Sequence, residues 1–349
     1  MKKLFSIVIL LSALFVVQNS YAQVHFLEDF SYPAGDSLGA HGWNYNSGGV
    51  TNTLSVTAPG LTFTGYPSSG IGNACTLRST GNDQYKNFTT ADSIGSVYAS
   101  FMVRVDTAKA TGDYFFAMIS STSATNYAAR VYAKDSLGFV AFGISKGTLA
   151  SGQAFTAPIY LKGTTYVLVA KYTFNPSTGD DAVSLYVLTG TVPPVEPPVP
   201  TVGPVPSTAG DSPNLGRVAL RQGTASLAPT LVIDGIRVGE TWAIVSTGIV
   251  NNSSIVPDKF VLSQNYPNPF NPTTKIDFSL PVSGNVTLKV YNALGKEVSS
   301  LVNQRLNSGS YTADLNASSF NSGIYFYRLE LSGENGKIYS EQKKLMLIK

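Results

Sequence analysis

The chain has 349 residues, of which 24 are Lys or Arg and 21 Asp or Glu, for a formal net charge of +3. Only 13% of it is charged and no Lys/Arg face clusters, which sets aside nucleic acid and other strong polyelectrolytes as partners. A single cysteine, Cys75, excludes an intramolecular disulfide framework, and the two histidines, His25 and His41, with one distant cysteine do not make a conventional zinc site.

Taken in order, Lys2 and Lys3 precede an apolar run from Leu4 to Val17, and Ser20-Tyr21-Ala22 places small residues where a signal peptidase reads. Residues 1–22 are therefore expected to be a signal peptide, handled by the Sec translocon and signal peptidase and cut after Ala22. The run is shorter than the ~20 residues a membrane span needs, and no comparable run recurs, so the mature chain is expected to have no transmembrane segment. Losing Lys2 and Lys3 takes the basic count from 24 to 22 against 21 acids.

From Gln23 onward short strands are parted by Gly, Asn, Ser and Pro. The clearest is Val97 to Val105, where Val97, Ala99, Phe101, Val103 and Val105 share one face. Further strands are expected at 52–57, 61–65, 113–119, 128–133, 139–144, 166–174, 182–188, 217–221 and 230–238. The pattern is all-β: a large antiparallel β-sandwich or jelly roll over 23–245. A proline-dense segment, 192–206, resembles a linker, but the strands after it are too few to form a domain alone, so it reads as an insertion inside the sandwich. The linker proper is expected at 246–258, polar and rich in Asn and Ser. Gly143-Ile144-Ser145-Lys146-Gly147 fits a nucleophile-elbow pattern, yet both histidines precede it and its surroundings are strands, so it reads as a hairpin turn.

The C-terminal part opens with Pro267-Asn268-Pro269-Phe270-Asn271-Pro272, whose prolines cannot donate to a ladder and hold the chain extended. Strands follow in which Val286, Leu288 and Val290, then Tyr325, Tyr327, Leu329 and Leu331, fall on alternate positions. With Val290 to Lys296, the run Ser322-Gly323-Ile324-Tyr325-Phe326-Tyr327-Arg328-Leu329 and the ending Lys343-Lys344-Leu345-Met346-Leu347-Ile348-Lys349, this part resembles the C-terminal sorting domain of the type IX secretion system of Bacteroidetes and related bacteria. The resemblance implies a small immunoglobulin-like β-sandwich at 259–349, with Pro267, Asn268, Pro269, Phe270, Asn271, Pro272, Gly323, Tyr325, Lys343, Lys344 and Lys349 as its sorting motif. It also implies the outer-membrane secretion machinery as partner, and delivery through the periplasm to the cell surface or the medium.

Phe26-Leu27-Glu28-Asp29-Phe30, Asp181 to Val187 and Val232 to Trp242 resemble, more weakly, concanavalin-like or laminin-G-like jelly rolls. The resemblance implies that first and last strands meet, drawing Asp29 towards Asp234, and that a structural calcium ion sits there, with Glu28 as a further ligand candidate. Folds of this kind host lectins, adhesins and hydrolases. The Glu-x-Asp-x-Glu strand motif of the glucanases is absent, so a non-catalytic carbohydrate- or matrix-binding role is the leading expectation, with a polysaccharide hydrolase and a purely structural or adhesin-like protein as alternatives. Trp43, Tyr45 and Tyr66, in Gly- and Asn-rich surroundings, are the candidate glycan-stacking rings, Trp43 as a core residue being the competing reading.

Overall fold

In the strand Ser96–Thr107 the five alternating residues Val97 to Val105 enter one core as expected, and the opposite face, with Tyr98 and Met102, is buried as well. That double burial sets the architecture. The computed structural model describes residues 24–48, 51–123, 125–147, 152–206, 210–246, 249–253, 257–306, 308–333 and 335–349, so the expected signal peptide lies outside the described residues. The first unit contains β1 Val24–Glu28, β2 Asn44–Gly48, β3 Ser55–Thr57, β4 Ala74–Leu77, β5 Asn82–Asp92, β6 Ser96–Thr107, β7 Asp113–Ile119 and β8 Tyr127–Ser136. It continues with β9 Phe139–Ser145, β10 Ala154–Phe155, β11 Thr165–Thr173, β12 Ala182–Leu188, β13 Val202–Pro206, β14 Leu215–Leu220 and β15 Thr230–Gly239.

One sheet runs β13-β12-β11-β6-β15-β4-β3, with β1 also on β15, and the other runs β10-β9-β8-β7-β14-β5-β2. Neighbours are antiparallel, and the first and last strands of the unit meet, Leu27 opposite Arg237. Between the sheets, rings interlock around Phe101, whose centroid lies 4.4 Å from that of Phe116 and 6.1 Å from that of Phe115.

The outer face of the first sheet is roofed. Tyr98, Met102, Val167, Val169 and Tyr186 pack against Leu61, Phe63 and Tyr66, and against Trp242, Ile244 and Val245 around the short helix α1 Ala243–Ser246. Trp242 Nε1 donates to the Pro193 carbonyl at 3.0 Å, tying the proline-rich segment to this roof. That segment ends as β13 on β12, which keeps it inside the sandwich. The stretch 61–65, expected as a strand, is instead part of the roof loop: its apolar residues cover a sheet face and have no ladder partner.

The second unit is a pair of four-stranded sheets. Its strands are β16 Ile249–Ser253, β17 Val261–Leu262, β18 Thr273–Leu280, β19 Gly284–Asn292, β20 Glu297–Leu306, β21 Gly309–Asn316, β22 Gly323–Gly333 and β23 Ile338–Leu347. The orders are β16-β21-β18-β17 and β20-β19-β22-β23. Ile276, Phe278, Leu280, Val286, Leu288, Val290, Tyr327, Leu329, Leu331 and Leu345 fill the space between them, so the period-two reading of this region holds residue by residue. The stretch read as a linker differs: 249–253 is a strand on β21, Ile249 opposite Ala313, because an edge there still offered unpaired backbone groups.

Candidate functional site

The meeting of β1 with β15 brings Asp29 and Asp234 into one buried region. Oδ1 of each has no hydrogen-bond partner, while Asp234 Oδ2 accepts the Leu61 amide at 2.7 Å. Burial pushes the Asp29 carboxyl up to about 6, and burial, with the Asp29 charge adding to it, raises Asp234 well above the usual carboxylate range. The fully buried Arg237 offsets part of this at Asp29; its Nε donates to the Ile244 carbonyl at 2.8 Å. Beside them is a small oxygen-lined cradle, for a Cβ at Gly60 would lie 2.9 Å from Asp234 Oδ2, 2.9 Å from the Gly72 carbonyl and 3.1 Å from the Asn73 carbonyl. Carboxylates and carbonyls, two of them with an oxygen unsatisfied, fit a hard cation. Glu28 does not join them. Its Oε2 accepts Trp43 Nε1 at 3.1 Å and Lys86 Nζ at 2.7 Å, and its Oε1 accepts the Phe30 amide at 3.0 Å.

The three rings proposed for stacking separate. Trp43 is 3% exposed and packs on Phe26 and Phe30, so it presents no face to a sugar. Tyr66 is also 3% exposed, and its hydroxyl donates to the Gly235 carbonyl at 2.6 Å and lies 2.9 Å from Ser100 Oγ. Both are corrected to core residues: each has one polar atom, and the interior supplies its partner. Tyr45 alone is open, at 58%, with its hydroxyl on the Gly48 carbonyl at 2.8 Å. Ser145 ends β9 with its Oγ 3.0 Å from the Tyr132 hydroxyl, in a strand end and not an elbow.

In contrast to the roofed sheet, the outer face of the second sheet carries half-buried working side chains. Tyr85, Ala219 and Ala117 lie in register across β5, β14 and β7, and Arg217, Ile119 and Tyr127 form the next row. The alanines make a low floor bordered by Tyr85, Tyr114 and Tyr127. Guanidinium groups lie against the rings: Arg221 is 4.2 Å from the Tyr114 centroid, Arg130 4.8 Å from Tyr114 and 5.6 Å from Tyr127, and Arg217 4.8 Å from Tyr85. Arg221 Nη1 pairs with Asp113 at 2.6 Å and Nε lies 4.0 Å from Asp83. Burial pushes the Tyr127 phenol up to about 12, so it remains a neutral donor. Sequence reasoning missed this face because its members come from separate strands and only the register assembles them.

In the second unit the proline motif is laced to the end of the chain. Asn268 Oδ1 accepts the Met346 amide at 2.9 Å, the Phe270 amide donates to the Met346 carbonyl at 3.0 Å, and the Ile348 amide returns to the Phe270 carbonyl at 3.0 Å. Phe270 is buried in the core, whereas Pro267, Asn268, Pro269 and Asn271 are exposed. Asn265 underpins the turn, its Nδ2 donating to the Pro267 carbonyl and to Thr274 Oγ1, each at 3.0 Å. Gly323 stands opposite Leu347, and the buried Tyr325 donates to the Asn321 carbonyl at 2.8 Å. Lys349 Nζ donates to the Ser318 carbonyl at 2.6 Å, and Lys343 pairs with Glu341 at 3.2 Å, while Lys344 is exposed.

Residues 264–347 match the family model described as the secretion system C-terminal sorting domain. They are a type IX sorting domain. The sorting domain marks the chain for export to the cell surface or the extracellular space and implies contact with the type IX secretion machinery. Among the described residues no helix is long and apolar enough to cross a membrane. No curated protein matches the chain. Solved structures similar to it include a putative beta-glucanase from Mycobacterium abscessus (8% identity, 62% of this chain and 99% of that one, TM-score 0.35) and the cellulose induced protein Cip1 (15%, 62% and 97%, 0.37). CopC from Methylosinus trichosporium OB3b is similar over 26% of this chain and 93% of its own, at 12% identity and a TM-score of 0.21.

Proposed function

We propose that the N-terminal sandwich is a non-catalytic carbohydrate-binding unit that works outside the cell and binds through the outer face of its second sheet. The observation that carries this is the set of guanidinium groups of Arg130, Arg217 and Arg221 laid on tyrosine rings beside a floor of Ala117 and Ala219. Rings hold the guanidinium planes, so their N–H donors are oriented in advance for sugar hydroxyls and carboxylates. Arg130, Lys134, Arg217 and Arg221 outnumber Asp83 and Asp113 on this face. The register gathers a basic cluster that the near-balanced composition did not disclose, and this favours acidic polysaccharides, against the expectation of no polyanionic partner. Binding without cleavage follows from the carboxylates: both Asp83 and Asp113 face Arg221, and neither is placed as a separate acid or base.

On a panel of neutral and uronate-containing polysaccharides, the purified protein should bind the acidic members without shortening them. Arg130→Ala should weaken that binding roughly tenfold with an unchanged melting temperature. A flat panel, or product release, would overturn the reading.

The Asp29–Asp234 region is proposed to hold a calcium ion that ties the first strand to the last. Without the ion, Asp29 has a folded pKa of about 6 against 3.8 for the free carboxyl, so the folded state binds the extra proton between these values. Its contribution therefore favours folding near pH 4 and is lost as pH rises through 6. Calcium needs the ionised form, so its stabilisation should grow in the same direction: adding it should raise the melting temperature more at pH 7.5 than at pH 4.5. Equal melting temperatures in excess calcium and excess chelator at pH 7.5 would remove the ion from the account.

A further inference from the structure

A second cluster stands apart from these sites, where the start of β1, the end of β5 and the residue after β15 converge. His25 is 1% exposed, and neither ring nitrogen has a hydrogen-bond partner. Its Nε2 lies 3.5 Å from Asp92 Oδ1 and 3.5 Å from Glu240 Oε1, and Oδ2 of the buried Asp92 is also without a partner. One donor atom from each of the three residues falls within 4.8 Å of the others. The backbone at this point is pinned, since Thr89 Oγ1 donates to the His25 carbonyl at 3.0 Å.

An imidazole buried with both nitrogens unsatisfied costs on the order of 1–3 kcal/mol per orphaned atom, and two carboxylates turned towards the same point repel. A shared cation at Nε2 removes the repulsion and the cost of leaving that nitrogen unpaired. The spacing agrees: two donors bound at about 2.1 Å in a tetrahedral site sit about 3.4 Å apart, against the 3.5 Å observed twice here. Nitrogen plus carboxylate oxygen suits a borderline metal, whereas calcium prefers oxygen alone. We propose that His25, Asp92 and Glu240 bind one divalent transition-metal ion, zinc fitting the donor set best, with a fourth position left to water. Glu240, with a side chain 39% exposed, gives the ion its way in. The set differs from the Cys/His pattern sought in the sequence because two of its three members are carboxylates. The ion is structural: β1 belongs to one sheet and β5 to the other, so it staples the two layers at one end. Burial, with the nearby Glu240 opposing ionisation further, holds the Asp92 carboxyl at about 6 in the metal-free protein, outweighing the opposite pull of His25.

The test uses the untagged mature chain, stripped with chelator and titrated with zinc chloride. One zinc per chain should bind and raise the melting temperature by roughly 5 °C or more. Glu240→Gln, at a partly exposed position, should fold normally and weaken zinc binding by about tenfold or more, whereas His41→Gln, at the other histidine and outside the cluster, should leave it unchanged. Absence of stoichiometric zinc, equal affinity in Glu240→Gln, or loss in His41→Gln would each overturn the proposal.

Discussion

Deletion of Pro257–Lys349 should leave the N-terminal sandwich folded and trapped in the periplasm, with essentially none at the cell surface. The sandwich has its own two-sheet core and should fold without the second unit, although it loses the bond from Asn316 Nδ2 to the Ser69 carbonyl, whereas the export signal lies wholly within the lost residues. Fractionation with surface proteolysis reads the outcome; undiminished surface material would refute the assignment of export to this module. A finer version is Phe270→Ala. It empties a buried ring site between the entry motif and the last strand, at a cost of about 3–5 kcal/mol, a large part of the stability of so small a sandwich. It should therefore reduce export nearly as much as the deletion, while the N-terminal sandwich of the periplasmic material stays folded.

Trp43→Ala should destabilise the N-terminal sandwich by about 3–5 kcal/mol in equilibrium denaturation. The indole fills space between Phe26 and Phe30, and its N–H satisfies Glu28, which also anchors Lys86 and the Phe30 amide. Removing it leaves a cavity and strips one donor from a buried carboxylate. Tyr45→Ala, at an exposed ring, should change stability by only about 0.5 kcal/mol. Were Trp43 a stacking residue the pattern would be the reverse, with stability intact and binding lost.

The contrast shows what the chain discloses by itself. Strands such as β6 and β22 are legible because alternate residues are apolar and a core takes one set. Strand β5, Asn82–Asp92, escapes that reading: its side chains are mostly polar and only Phe88 joins the main core. Strand β13 is hidden by prolines that an edge position tolerates. Trp43 and Tyr66 misled because loop composition says nothing of which way a ring turns. The candidate face and the His25 cluster were illegible for another reason. Arg130, Arg217 and Tyr85, or His25, Asp92 and Glu240, become neighbours only through strand order, and the sequence does not show which sheet face the loop at 61–66 will roof. The sorting domain was legible because its motifs are contiguous runs of sequence.

The lacing of Asn268 and Phe270 to Met346 and Ile348 also has a consequence in time. The exposed proline corner takes its shape only when β23 has docked, and β23 lies some seventy residues downstream and is made after the corner. A chain still being translocated, or one truncated by a few residues, carries the motif as sequence but not as a surface. The secretion machinery would then meet a folded address only after β23 has been made and docked, which makes docking of that strand a condition of export.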